Sequence, residues 1–314
     1  MDAYNLFFDQ GLSDAALAFL QSSAMTAYNT RELGERIQAL MKSPYYARQA
    51  IGHTMELGMT DTVPLSGAFS GAFSAAFSAA FSGAEPDSNP EMSGGTKPDS
   101  ATLGEAGPDS RRLLDSLRQV QLLRRSTRSF DDYIDLRQLA DCLLNAYFVT
   151  ERFEEHSHHL ARRSIASGGA LYPIDLFYIA LHTDGLARGI YAFNPHRERL
   201  EAIRLIDSEK QLFRSLTRIY PAEVRGSWDM RSLSGILVFA GILNRVACKY
   251  GDRGLRFALM DVGSLCQNVH LAAAATDISC CAIGGYMDSE MDRLIGLKGP
   301  DETCLLTMFV GKNK

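Results

Sequence analysis

Lys249 and Tyr250 stand side by side in the stretch CKYGDRG, residues 248–254, just ahead of a glycine-bracketed turn. Both side chains carry a proton at reference pKa values of roughly 10, so the pair reads either as solvent-facing decoration or as an acid/base couple. Adjacent side chains diverge by about 100° on a helix and 180° on a strand. Cooperation therefore predicts an irregular backbone at the pair, which Gly251 and Gly254 permit. A second group, Arg124, Arg125, Ser126 and Arg128 in RRSTR, puts three forked cations and a hydroxyl into five residues. Guanidinium groups grip phosphate bidentately, and the alternative for such a run is a solvated basic turn. A third, SGGALYP at 167–173, has two adjacent glycines that let backbone amides approach a flat ligand, and a proline that fixes the turn. It is not GxGxxG opening a helix, so the dinucleotide fingerprint is absent.

His156, His158 and His159 raise the question of metal. Zinc sites need ligands at turn-compatible spacing plus distant partners, and no cysteine or second histidine cluster pairs with these. The stretch reads as a flexible loop ahead of the Ser-Gly-Gly turn, and no metal is expected. The six cysteines (142, 248, 266, 280, 281, 304) show no CxxC. Reduced thiols of a cytoplasmic protein are the expectation.

These residues must be held by ordered elements. Apolar spacing of three and four predicts helices over 113–123 and 136–148, the second opened by an Asp, then near 207–219, from about 253, and over 288–295. Runs at 174–181, 189–193, 199–203, 236–243, 278–283 and 303–310 read as strands. In the long helix, Leu255, Leu259, Val262, Cys266, Val269 and Ala273 form the seam of a buried or dimer-forming helix. Mixed helices and antiparallel-looking strands make the class α+β.

Three regions follow. Residues 1–60 carry helical spacing at Leu17, Leu20, Leu33, Ile37 and Leu40. Residues 61–110 hold a tetrapeptide repeat, with Phe69, Phe73, Phe77 and Phe81 among Ser, Ala and Gly, and then Pro-Asp-Ser three times, at Pro86, Pro98 and Pro108. That composition cannot bury enough surface to offset chain entropy, so it reads as a low-complexity insertion and linker. The repeat is too weakly hydrophobic for a membrane span. Residues 111–314 form the folded domain. Of the 314 residues 46% are hydrophobic and 22% charged, which suits a globular core. A net charge of −5 without basic stripes argues against nucleic acid. The acidic N-terminal stretch does not indicate export.

RRSTRSF, SGGALYP, the G-x-Y-x-F-x-P segment Gly189 to Pro195, KYGDRG, MDVGSLCQN and GGYMD occur in one order over about 111–314. Together they resemble the nitroreductase-fold FMN flavoproteins, and within them the azoline dehydrogenase subunits of thiazole/oxazole-modified microcin synthetases. The resemblance implies a nitroreductase-like fold, a central mostly antiparallel sheet flanked by helices, in an interlocked homodimer with FMN at the subunit interface. It gives Arg124, Arg125, Ser126 and Arg128 the flavin phosphate and ring, lays Ser167, Gly168 and Gly169 against the flavin, passes Ile283, Gly284 and Gly285 by its edge, and adds Lys312 to the phosphate site. It makes Lys249 and Tyr250 catalytic. Oxidising an azoline removes a proton from one carbon and a hydride from its neighbour, so a base must face the flavin. Tyr250 is the preferred base, tuned by the Lys249 ammonium. The resemblance also implies partners, namely cyclodehydratase subunits and a precursor peptide, with residues 1–60 as the place to look for docking. The alternatives are an NAD(P)H-dependent nitro or quinone reductase and a flavin-free scaffold subunit.

Overall fold

The computed structural model describes residues 61–64, 108–155, 158–298 and 301–313. The helical spacing expected over 1–60, the Phe69–Phe81 repeat and the linker up to 107 lie outside the described residues. In chain order the elements are β1 (Asp61–Pro64), α1 (Pro108–Leu123), α2 (Leu136–Ala146), β2 (Val149–Glu155), β3 (His158–Arg163), β4 (Ile174–Ala180), β5 (Gly189–Asn194) and β6 (Arg199–Leu205). There follow α3 (Glu209–Ile219), α4 (Ala222–Ser227), β7 (Gly235–Ile242), α5 (Asn244–Tyr250), α6 (Arg253–Ala275), β8 (Ser279–Ile283), α7 (Asp288–Ile295) and β9 (Glu302–Gly311).

Seven strands form one sheet in the order β1-β6-β5-β4-β7-β9-β8, every pair antiparallel, and β2 and β3 make a separate ribbon. Strand β4 shows why its sequence is apolar throughout. Side chains alternate faces along a strand; Leu176 and Tyr178 enter the layer beneath α2 and α6, while Phe177 and Ile179 enter the layer beneath α3 and α7. With helices on both faces, neither side of the central strands meets water. Helix α2 starts where Asp135 accepts from the Gln138 amide at 2.7 Å and Gln138 returns a bond to the Asp135 amide, a reciprocal cap worth about 1 kcal/mol.

Several expectations change. Residues 61–64, inside the stretch read as insertion, form β1 and pair with Arg199–Ala202 of β6. Helix α1 begins at Pro108, inside the expected linker, because a proline at the first helical position has no amide to leave unpaired. His158 and His159 are not loop residues: they open β3, where His158 pairs with Glu155 across the ribbon, an alternation that charge density in VTERFEE concealed. Helices α4 and α5 were not foreseen, being too short for periodicity to show. On α6 the buried stripe is Gly254, Ala258, Asp261, Leu265, Val269 and Ala272. The expected seam lies one step round the helix, so Val262, Val269 and Ala273 are buried but Leu259 is 46% exposed.

Candidate functional site

Lys249 and Tyr250 are the last two residues of α5, regular helix rather than irregular backbone. Their side chains converge because the lysine arm is long: Nζ stands 5.5 Å from the centre of the Tyr250 ring. Gly251 follows at φ 58°, ψ −144°, a conformation open to glycine that ends α5 sharply. Gly254 lets α6 pass close by, since a Cβ there would lie 2.9 Å from the Val246 carbonyl carbon. The glycines of CKYGDRG thus build the corner between α5 and α6 and present the pair at its apex.

Onto that apex folds the Ser-Gly-Gly turn. A Cβ on Gly169 would sit 2.6 Å from the Tyr250 Oη and 2.9 Å from the Lys249 Nζ, so any side chain there would push those two tips aside, and the two polar atoms are at most 5.5 Å apart. A Cβ on Gly168 would meet Phe257 Cγ at 3.0 Å, and Phe257 itself packs edge-on against Tyr250 with centroids 4.8 Å apart. Gly169, Ala170 and Tyr172 have φ of 65°, 53° and 44° on either side of a right-handed Leu171, which costs energy for the two positive-φ residues with side chains. Ser167 Oγ accepts from the Tyr172 amide at 2.9 Å and holds the turn closed. Gly169 is exposed while Lys249 and Tyr250 are half-buried, so a ligand can reach all three.

Behind the turn lie groups that sequence reasoning missed. Both guanidinium ends of Arg245 grip both oxygens of Asp175 at 2.6 Å, and Arg245 also donates to the Tyr172 carbonyl at 3.2 Å. Arg163 donates to the Tyr147 hydroxyl and lies 3.0 Å from His196 Nε2, and its amide donates to the Tyr172 hydroxyl. Burial, with the Arg163 charge adding to it, pushes His196 down to about 3 and keeps the ring neutral. Asp261 on α6 accepts from the Ser167 hydroxyl, and burial pushes its carboxyl up to about 6. The signal for Asp175 and Asp261 was a lone carboxylate inside an otherwise apolar run.

The basic set gathers elsewhere. The chain after α1 is pinned to the edge strand by the Thr127 amide donating to the Cys280 carbonyl at 3.0 Å, and then to the end of β9 by Asp131 and Asp132 amides donating to the Lys312 carbonyl. This draws Arg124, Arg125, Ser126 and Arg128 toward Lys312, whose ammonium pairs with Asp277 at 3.3 Å. The Arg124 charge adds to burial in holding His270 down, and the Arg128 charge works against the burial that raises the Cys281 thiol. Arg125, Ser126 and Arg128 are exposed, and forked cations so placed can take a phosphate. At the other end of β8, five residues or roughly 16 Å away, a Cβ on Gly284 would meet nothing within 4 Å and Ile283 is buried. The expected site residues therefore fall into two groups within one chain. Tyr250 packs on Phe257 near the start of α6 and Arg124 neighbours His270 near its other end, thirteen residues or about 20 Å along the helix at 1.5 Å per residue.

Among the described residues no group of three or more His, Cys, Asp and Glu side chains is placed to hold a metal ion, and no helix is long and apolar enough to cross a membrane. His156 is outside the described residues. All six cysteines are free thiols, and burial pushes Cys142 up to about 12, which leaves it unreactive.

An antiparallel sheet covered on both faces thus carries a glycine turn over Lys249 and Tyr250 and a basic set along the edge strand. The chain belongs to the nitroreductase family, whose profile matches residues 123–312. It is similar to the Methanocaldococcus jannaschii protein MJ1384, described as a nitroreductase, with 28% identity over 207 residues, 62% of this chain and 90% of that one. It is also similar to the microcin B17-processing protein McbC of Escherichia coli, with 29% identity over 185 residues, 57% of this chain and 62% of McbC. Among solved structures, the E. coli microcin synthetase McbBCD complex with truncated pro-MccB17 bound matches over 98% of this chain and 99% of the matched one, with a TM-score of 0.51 and 21% identity. That likeness is one of fold.

Proposed function

We propose that this chain is an FMN-dependent azoline dehydrogenase, oxidising thiazolines or oxazolines of a ribosomally made peptide to thiazoles or oxazoles. The observation that carries the reading is the seating of Gly169 directly on Lys249 and Tyr250. A reductase passing hydride between nicotinamide and an acceptor needs no carbon base, whereas azoline oxidation does. The likeness to McbC supports the same direction.

The residues present fit a flavin phosphate: Arg124, Arg125, Ser126, Arg128 and Lys312 would hold it, with Ile283, Gly284 and Gly285 along the ring edge. Ser167, Gly168 and Gly169 would lie against the ring face, and because they stand with the other group, we assign them to the second subunit of a homodimer. What FMN supplies when bound is a hydride acceptor, with dioxygen as the final electron sink. Tyr250 takes the proton from the neighbouring azoline carbon. The Lys249 ammonium, at most 5.5 Å away, favours the phenolate that accepts this proton and becomes the neutral phenol. Gly169 keeps the space between the pair and substrate clear of side-chain atoms. Cyclodehydratase subunits and the precursor peptide are the expected partners, with residues 1–60 assigned to docking and a cytoplasmic setting.

The test is turnover of an azoline-bearing peptide by the FMN-supplied protein without nicotinamide, followed by mass spectrometry for the loss of two hydrogens. Azole formation supports the reading. Steady NAD(P)H oxidation with a nitroaromatic and no azole would replace it with a flavin reductase, and a protein that takes up no flavin at all would point to a scaffold.

A further inference from the structure

Arg245 lies one helical turn before Lys249 in α5, on the same side of the helix. The bonds that hold its guanidinium include two to Asp175 at 2.6 Å and one to the Tyr172 carbonyl at 3.2 Å, and the Arg245 and Asp175 side chains are only 3% and 9% exposed. Tyr172 is the last of the three positive-φ residues of the turn that begins at Gly169, and Asp175 is the second residue of β4. One side chain therefore touches three things at once: the helix that carries the acid/base pair, the strand that anchors the glycine turn, and the turn itself.

We propose that the Asp175–Arg245 ion pair is the positioning device that keeps Lys249 and Tyr250 in register with the Gly168–Gly169 turn. The inference rests on the catalytic reading of the pair given above. Its physical basis is a comparison of alternatives. Two buried charges lose their hydration, and replacing such a pair by apolar residues of similar volume is often neutral or stabilising. Stability alone does not call for it, whereas a rigid two-pronged fork fixes distance and angle as methyl groups cannot. Helix α5 needs such a fix. It has only seven residues, no side-chain cap at its start and a glycine corner at its end, and so short a helix has little stability of its own. Val246 plugs it into the core beside Arg245, but an apolar plug leaves rotation about the helix axis soft. Misplacement of a reacting group by about 1 Å can cost 100-fold in rate.

The experiment compares three proteins with the parent: the apolar pair Asp175→Leu with Arg245→Met, the conservative Arg245→Lys, and Tyr250→Phe. Each is measured for melting temperature, flavin uptake by visible absorbance, kcat and KM on an azoline peptide, and the pH profile of kcat. A readout independent of turnover is the labelling rate of Lys249 by trinitrobenzenesulfonate, followed by peptide mass spectrometry against exposed Lys210 and Lys298 in the same chain. The apolar pair should melt within a few degrees of the parent and take up flavin, yet lose 30-fold or more in kcat with KM little changed. Its pH profile should shift, and Lys249 labelling should accelerate about tenfold. Arg245→Lys, which keeps the charge but not the fork, should fall between, and it carries the test if the apolar pair does not fold. Parental kcat, pH profile and labelling in either variant would overturn the proposal. Failure of the functional reading shows itself differently, as undiminished turnover in Tyr250→Phe or none in the parent, while the labelling still reports whether the ion pair positions Lys249.

Discussion

At the scale of single residues, Gly169 decides whether the pair at the end of α5 has room to work. Its φ of 65° is strained for any side chain, and an added methyl carbon would stand 2.6 Å from the Tyr250 hydroxyl. Gly169→Ala should therefore lower azole formation 100-fold or more while the melting temperature falls only a few degrees, since the residue is exposed; turnover assays and calorimetry on the same preparation check both. Asp261 gives a pH prediction of definite sign. Its carboxyl is held near 6 against an ordinary 3.8, so the folded chain binds more protons than the unfolded chain between those values. Its contribution to stability is thus lost as pH rises from about 4 through 6, amounting to about 3 kcal/mol at 1.36 kcal/mol per pKa unit. Asp261→Asn, which can still accept from Ser167, should be the more stable protein above pH 6 by up to that amount, the difference vanishing near pH 4 in urea titrations. His196 works in the opposite direction. Its ring is held neutral down to about 3 against an ordinary 6.5, so the stability it contributes is lost as pH falls from 6.5 toward 3. The two groups offset one another in the parent, and the Asn variant should show the steeper acid loss.

Among the elements, the α5–α6 corner is the tightest. Gly254 has the Val246 carbonyl carbon, the Ala247 nitrogen and the Val246 oxygen all within about 3 Å of where a Cβ would stand, and backbone cannot yield as a side-chain tip does. Gly254→Ala should destabilise the fold by about 1–3 kcal/mol, the usual cost of overpacking, and weaken activity as well, because the shift is delivered to the helix bearing Lys249 and Tyr250. Chemical denaturation measures the first and turnover the second. An unchanged unfolding midpoint would show that the helices separate without cost. The β8 edge is the other element that matters. Among the described residues no strand pairs with its outer side, and the segment from Arg124 to Asp132, bonded to it through the Thr127 amide, turns a strand edge into a surface lined by cations.

For the whole molecule, the separation of the two groups by about 20 Å along α6 gives the proposed homodimer a testable form. In that proposed homodimer, a ligand anchored at Arg124, Arg128 and Lys312 of one protomer would meet the Gly169 turn and Tyr250 of the other. Two inactive variants, Arg124→Ala with Arg128→Ala in one protomer and Tyr250→Phe in the other, should then recover activity when co-expressed as a mixed dimer carrying distinct affinity tags. Up to one half of the parental rate per dimer is expected, since one of the two sites is left intact. Recovery absent from purified mixed dimers would place both groups of one site on the same chain. Apolar exposure at Leu113, Leu114, Leu117, Leu122 and Leu123 of α1 and at Leu259 and Met260 of α6 suits burial between protomers.

The α+β class, most element positions and the motifs that resemble the flavoprotein family were legible in the sequence, because apolar period, capping residues and glycine spacing are properties of short segments. The strand pattern at 174–181 and the Asp before 136 stood in plain view for that reason. What the tertiary structure alone decided were the meetings of distant residues: Gly169 upon Lys249 and Tyr250, Asp175 with Arg245 across 70 positions, Asp261 beneath Ser167, and Thr127 on Cys280. The same packing set the basic group apart from Lys249 and Tyr250. Periodicity says which face of a segment is apolar but not which other segment will cover it; that is settled by sheet register and by how closely helices such as α5 and α6 can approach.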